Sequence, residues 1–358
     1  MTVLDAHCDA PSQMSRLRNY RLDNPGAQVD FPKMRRGGVD ASFFAAYVPA
    51  GLQGADATAH ALRLLDILDA QMAENQDIAA YARCASGVLR NRRAGRISVL
   101  AGIENASALD GSLDRLREFY RRGVRYITLT HSADNDVADS CTGSGRWGGL
   151  SPFGRELVPA MNHIGMLVDL AHSADSTMRD VLEISARPVA YTHGCCRALA
   201  SHRRNISDEL IRAIAERGGI VCMSIYPCFL DDEFVKTLEA SGLEEQMWVE
   251  TEFIKDPGDP RKAAAWAEVQ RRLAELPRPS VSRVADHIEH AVNVGGIDHV
   301  GLGTDYDGIE VTASGLEDIS KFPSIFDELG RRGFSRRDIA KIAGENFLRV
   351  LKMVRKRA

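Results

Sequence analysis

Residues 97–131 decide the fold. Ile97-Ser98-Val99-Leu100-Ala101-Gly102-Ile103-Glu104 is a β-rich apolar run that closes on a carboxylate. Leu113 to Arg121 then shows helical periodicity, and Arg125-Tyr126-Ile127-Thr128-Leu129-Thr130-His131 is a second β-rich run, closing on an imidazole. Strand, helix, strand in this spacing predicts two parallel strands joined by a helical crossover, because a tight turn can only join antiparallel ones.

The same alternation extends along the chain. Further β-rich runs are Val3 to His7, Val39 to Val48, Met166 to His172, Pro188 to His193, Gly219 to Tyr226 and His299 to Asp305. Between them, Thr58 to Ala73 carries Ala61, Leu62, Leu65, Leu68 and Met72 at helical spacing, and Phe153 to His163 reads as a helix too. Ser207 reads as an N-cap before a Leu210, Ile211, Ile214 stripe that Gly218-Gly219 stops. Ser335 to Lys352 is expected to form one helix carrying Ile339, Ile342, Phe347, Val350 and Leu351. Eight strand runs favour a single α/β domain, a (β/α)8 TIM barrel over 1–358, rather than an open doubly wound sheet.

A chain of 358 residues exceeds a minimal barrel. The surplus is assigned to a Gly-rich loop, Asp134 to Ser151, and to a helical insertion, 227–279, after strand seven. Both leave the C-terminal ends of strands, where barrels keep their active-site loops, so the insertion is expected to form a rim or lid. The alternative is an oligomer contact, as in a homodimer.

With 45 Lys+Arg against 49 Asp+Glu, the net charge of −4 argues against a nucleic-acid partner. Seven cysteines without a Cys-x-x-Cys pair indicate neither a disulfide framework nor a zinc ribbon. The N-terminus shows no secretion pattern and no run is long enough to span a bilayer, so a cytoplasmic protein without a membrane partner is expected.

The chemistry gathers at the strand ends. His7 and Asp9 share one face of the first strand, with Cys8 on the other. Glu104, His131, His172, His193 and Asp305 end five further strands, and in a barrel all of these ends meet at one mouth. Each residue alone is better read as structural. Together they are costly to bury unless a cation compensates them, and His with carboxylate oxygen suits zinc. So many groups exceed the needs of one ion, which points to two sharing a carboxylate, with Glu104 as the bridge. Such a pair would hold a hydroxide and polarise a carbonyl, the chemistry of amide, ester or ring C–N hydrolysis. Asp305 could take and return the proton. His131, if not a ligand, is placed to stabilise the oxyanion.

Other motifs fail on context. Gly143-Ser144-Gly145-Arg146-Trp147-Gly148 does not directly follow a strand, so its dinucleotide pattern is rejected. His287-Ile288-Glu289-His290 lacks metalloprotease spacing and is expected on a helix surface. Cys195 and Cys196 are read as buried or loop thiols, and His60, His163, His202 and His299 as structural.

These residues resemble the membrane (renal-type) dipeptidase family of zinc peptidases, within the wider amidohydrolase group. The resemblance runs nearly end to end. It rests on Asp5-Ala6-His7-Cys8-Asp9, Gly102-Ile103-Glu104, Leu129-Thr130-His131-Ser132, Gly149-Leu150-Ser151-Pro152-Phe153-Gly154, Asp169-Leu170-Ala171-His172, the His193 segment, Arg203-Arg204-Asn205 and Gly303-Thr304-Asp305-Tyr306-Asp307-Gly308. It implies a small dipeptide as substrate and two Zn2+ per chain, bridged by Glu104 and a hydroxide. His7 and Asp9 would hold one ion, His172 and His193 the other. By the same resemblance His131 contacts the tetrahedral intermediate, and Asp305 serves the hydroxide and the substrate's amine. Arg204 forks onto the C-terminal carboxylate, and Tyr226 lines the pocket. The membrane anchor of mammalian relatives is not carried over. The long loops would set specificity, including acceptance of a D-residue at the C-terminal position. Two rivals stand: another amidohydrolase reaction (on an N-acyl amino acid, lactam or cyclic amide), and a non-catalytic small-molecule-binding barrel.

Overall fold

The computed structural model describes residues 1–14, 19–255 and 259–355, without the side chains of 250, 251, 254 and 255. Residues 256–258 of the expected insertion therefore lie outside the described residues. Among the described residues there are nine strands: β1 (Leu4–Cys8), β2 (Ala41–Tyr47), β3 (Ala79–Tyr81), β4 (Ile97–Glu104), β5 (Val124–Thr128), β6 (Leu167–Asp169), β7 (Ala190–Gly194), β8 (Ile220–Met223) and β9 (Val300–Leu302). Eight of them run in the order β1-β2-β4-β5-β6-β7-β8-β9, every pair parallel. The circle closes just beyond β9. There Asp9 N donates to Tyr306 O at 2.9 Å and Asp305 N to His7 O at 3.1 Å. The expected eight-stranded barrel is the observed one.

β3 was not singled out in the sequence. Ala79, Ala80 and Tyr81 pair with Ile97 to Val99, on the stretch of β4 below the point where β5 begins at Ala101. A three-residue run, two of them alanine, carries too little periodicity to be seen.

Strand alternation builds two apolar layers. Leu4, Ala6, Phe43, Leu100, Tyr126, Leu167, Ala190 and Ile220 form one cluster inside the barrel. Phe44, Ala46, Val99, Ile103, Ile127, Val168 and Val221 belong to the other, packed against the helices. The inner cluster ends on Phe347, Leu348, Val350, Leu351 and Val354, from the C-terminal helix Asn346–Val354. Phe347 meets Phe43 at 5.4 Å between ring centroids, and Phe43 meets Tyr126 at 4.8 Å. This helix therefore plugs one mouth of the barrel.

The single helix expected over Ser335–Lys352 is broken. Arg336–Ala340 leads into a π-helical turn, Lys341–Glu345, before Asn346–Val354. The cause is a close approach to β1: a Cβ on Gly344 would lie 2.7 Å from Thr2 O. The widened turn absorbs the contact and leaves Asn346 Nδ2 donating to Ile297 O and Val300 O, both at 2.8 Å.

The expected surface position of His287 is overturned. It is fully buried, accepting from Cys196 N at 3.0 Å through Nδ1 and facing Leu230 O at 3.0 Å through Nε2. Burial lowers its pKa to about 4, so it is held neutral and links three segments. Cys195 and Cys196 are buried, as expected.

After β8, helices Pro227–Leu230, Asp232–Ser241, Trp248–Lys255 and Pro260–Glu275 precede the crossover helix Val281–Gly295. Among the described residues, no helix is long and apolar enough to cross a membrane.

If the C-terminal helix is the plug, Phe347→Ala should cost about 3–5 kcal/mol, as for other buried aromatics. Urea denaturation followed by circular dichroism measures it; a loss below about 1 kcal/mol would contradict the packing.

Candidate active site

The plugged mouth leaves the opposite one free, and the polar residues meet there. His7 lies in β1, with Asp9 just past it, Glu104 ends β4, and His193 lies in β7. The other three sit further out than regular strand ends would put them. His131, His172 and Asp305 each follow the last residue of their strand (Thr128, Asp169, Leu302) by three positions. His172 and Asp305 have left-handed backbone, φ 65° and 67°. For non-glycine residues that conformation costs of order 1–3 kcal/mol and persists only where surroundings enforce it. Here the enforcement is visible: His172 O accepts from Cys141 N at 2.8 Å, and Asp305 N is the barrel-closing donor to His7 O.

Glu104 is the centre of the cluster and is 2% exposed. Its Oε2 lies 3.7 Å from His7 Nε2. Its Oε1 lies 2.9 Å from His172 Nε2, 3.3 Å from His193 Nε2 and 4.0 Å from His131 Nε2. The two oxygens thus address two different sets of histidines. His7 Nε2 also approaches Asp9 Oδ2 at 3.3 Å and Asp305 Oδ1 at 3.6 Å.

Neighbouring side chains fix which nitrogen faces inward. Tyr126 Oη sits 2.7 Å from His7 Nδ1, so Nε2 is the atom turned to the carboxylates. Gly102 makes this possible, because a Cβ there would fall inside the Tyr126 ring. At His193, Thr192 Oγ1 donates to Asp169 at 2.7 Å and can only accept from His193 Nδ1, 3.0 Å away. His193 Nε2 is then an unprotonated acceptor facing an acceptor oxygen of Glu104. Two lone pairs at that distance repel unless a proton or a cation lies between them. Asp9 Oδ1, buried and without a partner, makes the same demand.

The electrostatics agree. Burial, and then Asp9, pushes Glu104 well above the usual carboxylate range; burial and Asp9 likewise carry Asp305 to about 6. Burial opposes charge on His7, but Glu104, Asp9 and Asp305 outweigh it and raise its pKa to about 10. Burial, then Arg204, holds His131 down at about 3 and His172 well below its usual value. Burial and His7 do the same to His193. Ionised carboxylates and neutral imidazoles are the forms that bind metal, and a divalent cation reverses the cost of crowding the acids. Among the described residues, three groups have the required spacing: His7, Glu104 and His193; Glu104, His131 and His172; His7, Asp9 and Asp305. The donor set therefore fits metal ions, and His131 belongs to a ligand-competent group as well.

Arg204, from the loop after β7, is 5% exposed. Its Nη1 donates to Tyr191 Oη at 3.2 Å and its Nη2 to His193 O at 3.1 Å, while Nε is buried without a partner. The guanidinium lies 5.2 Å from the Phe229 ring centroid. A cavity of about 290 Å³ opens beside it, also lined by His172, His202 and Tyr226. Tyr226 was expected to end strand seven; the strand stops at Met223, and Tyr226 stands just before the short helix Pro227–Leu230, in the wall of the cavity. His202, read as structural from sequence, stands on the cavity wall and accepts from Arg204 N at 3.2 Å.

Sequence reasoning missed the residues that orient the cluster. Asp169 gathers Thr128 Oγ1 at 2.6 Å, Thr192 Oγ1 and Thr192 N. Ser140 Oγ bonds to the carbonyls of both His131 and His172. Asp134 accepts from the backbone of Ser140, Ser144 and Gly145 and so wires the Gly-rich loop. For Asp134 and Ser140 no sequence pattern distinguished them from ordinary loop residues.

Replacing Tyr126 by Phe removes the hydroxyl from His7 while keeping the ring. Zinc affinity, measured by competition with a chromophoric chelator, should fall about 10–100-fold. An unchanged affinity would show that Tyr126 does not orient His7.

A family model described as membrane dipeptidase (peptidase family M19) matches residues 1–358. The chain is similar to dipeptidase verJ of Clonostachys rogersoniana, 34% identical over 373 residues, covering 98% of this chain and 84% of that protein. Among solved structures it is similar to the probable dipeptidase PvdM from Pseudomonas aeruginosa. That match is 24% identical, with a TM-score of 0.85, over 100% of this chain and 96% of that one. A metallo peptidase from Rhodobacter sphaeroides, liganded with a phosphinate mimic of the dipeptide L-Ala-D-Ala, matches at 24% identity and a TM-score of 0.81, over 99% of each chain. At such identities the structures carry the fold, and it is the same barrel.

Proposed function

The chain belongs to the membrane dipeptidase family, and from that premise we propose that it is a binuclear zinc enzyme that hydrolyses small dipeptides. The observation that carries the reading is the division of Glu104, with Oε2 turned to His7 and Oε1 to His172 and His193. His7 and Asp9 would hold one ion, His172 and His193 the other, and Glu104 would bridge them. When bound, such a pair polarises the scissile carbonyl and brings the pKa of water toward neutrality.

The chain's own residues supply the rest. Arg204 anchors the substrate's C-terminal carboxylate; its unpartnered buried Nε supports this, since an ion-pair partner would satisfy it. The same feature favours a substrate with an α-carboxylate, as every dipeptide has, over the many cyclic amides for which such an anchor is dispensable. Asp305, across the mouth, attracts the α-ammonium group and accepts the proton released during attack, returning it to the leaving amine. His131 is neutral, and its Nδ1 lies 3.2 Å from Ser132 Oγ; in the tautomer in which that hydroxyl donates, Nε2–H is left to stabilise the oxyanion. Tyr226 closes the carboxylate end of the cavity. That cavity, about 290 Å³, has room for either configuration at the C-terminal position, so the proposal extends to a D-residue there.

Chelation should abolish dipeptide turnover, and added zinc should restore it. Arg204→Ala should raise KM about thirtyfold or more, the scale of one lost charged hydrogen-bonding partner of about 2 kcal/mol, with metal content unchanged. Turnover indifferent to chelation would refute the metal mechanism; an unchanged KM would remove Arg204 from the substrate site.

A further inference from the structure

The cavity beside Arg204 has a wall built by the insertion. Val235 and Leu238 are three residues apart on helix Asp232–Ser241 and therefore share a face. That face lines the cavity, together with Phe229 and Met247. Phe234 and Leu238 are both buried in the packed layer and hold the helix, while half-buried Val235 packs at its edge, where it and Leu238 border the cavity. Apolar side chains kept around an open cavity mark a place where apolar surface is meant to be covered.

We propose that this cavity receives the side chain of the dipeptide's C-terminal residue and selects a bulky apolar one, such as Leu, Met or Phe. The proposal rests on the dipeptidase reading of the site. With the substrate carboxylate on Arg204, the Cα of that residue is one bond away, and Phe229 lies 5.2 Å from the guanidinium. The scissile bond lies toward His172, a buried member of the Glu104 cluster that also lines this cavity. The side chain is left with the direction of Phe229, Val235, Leu238 and Met247. Asp305 does not line this cavity, so the N-terminal residue of the substrate lies elsewhere.

Charge sharpens the selection. Glu244 stands at the exposed rim of the cavity. It disfavours an acidic C-terminal side chain, because a like charge brought beside it is repelled. It does not oppose an apolar one.

The test is a series of Ala-X dipeptides with X as Gly, Ala, Val, Leu, Met, Phe and Glu. kcat/KM should rise about tenfold or more from Gly to Leu or Met, through KM, with Glu at the bottom. Val235→Trp, which fills the cavity, should lower the Leu-to-Gly ratio about tenfold or more. Val235→Asp, which charges the wall without filling it, should lower that ratio as well. A flat or Gly-preferring profile in the wild type, or a ratio unmoved in both variants, overturns the pocket assignment while leaving the dipeptidase reading standing. If no Ala-X peptide is turned over, the dipeptidase reading fails, and the pocket assignment fails with it.

Discussion

One buried carboxylate organises this protein. Glu104 sits at the end of the longest strand of the barrel, 2% exposed, with its two oxygens turned to histidines from different strands. An isolated carboxylate in that position would be strongly disfavoured. The surrounding strands instead bring imidazoles whose outer nitrogens are already occupied: His7 by Tyr126, His193 by Thr192. The space that remains is chemically specified for cations. Even the glycine two residues earlier serves this arrangement, since Gly102 gives the Tyr126 ring its path across the interior.

Precision at the mouth depends on rigidity below it and wiring around it. The inner apolar layer and the C-terminal plug hold the strands. Above them, His172 and Asp305 adopt left-handed backbone that would relax if their carbonyl and amide partners were lost. Ser140 ties the segments of His131 and His172 together, and Asp134 pins the loop that carries Ser140. The Gly-rich loop is therefore a brace for two histidines as much as a border of the site. The insertion after β8 makes a separate contribution, since its apolar residues Phe229, Val235, Leu238 and Met247 line the cavity beside Arg204.

The barrel was legible because strand-helix alternation is a long-range, repeated signal, and the mouth because ionisable residues at strand ends stand out against apolar runs. What escaped was set by tertiary contact. The three-residue β3 has no periodicity of its own. The break at Gly344 comes from the approach of β1, which no local propensity encodes. His287 sits on a helix of mixed polarity, and only the packing of Cys196 and Leu230 against it shows that it is buried. His202 lies in a polar stretch, and its facing a cavity is decided by how the loop folds back on β7; Arg204, two residues on, was found only through the family resemblance. His131, His172 and Asp305 were recognised, yet their place three residues past the strands reflects turn geometry, which the strand pattern does not carry.

The central claim is that Glu104 divides two metal ions between two histidine sets. Anomalous diffraction from crystals grown with zinc, collected on both sides of the zinc absorption edge, tests it directly. The account predicts two anomalous peaks, one on the His7 and Asp9 side of the Glu104 carboxylate and one on the His172 and His193 side. A single peak, or peaks that do not touch Glu104, would contradict it.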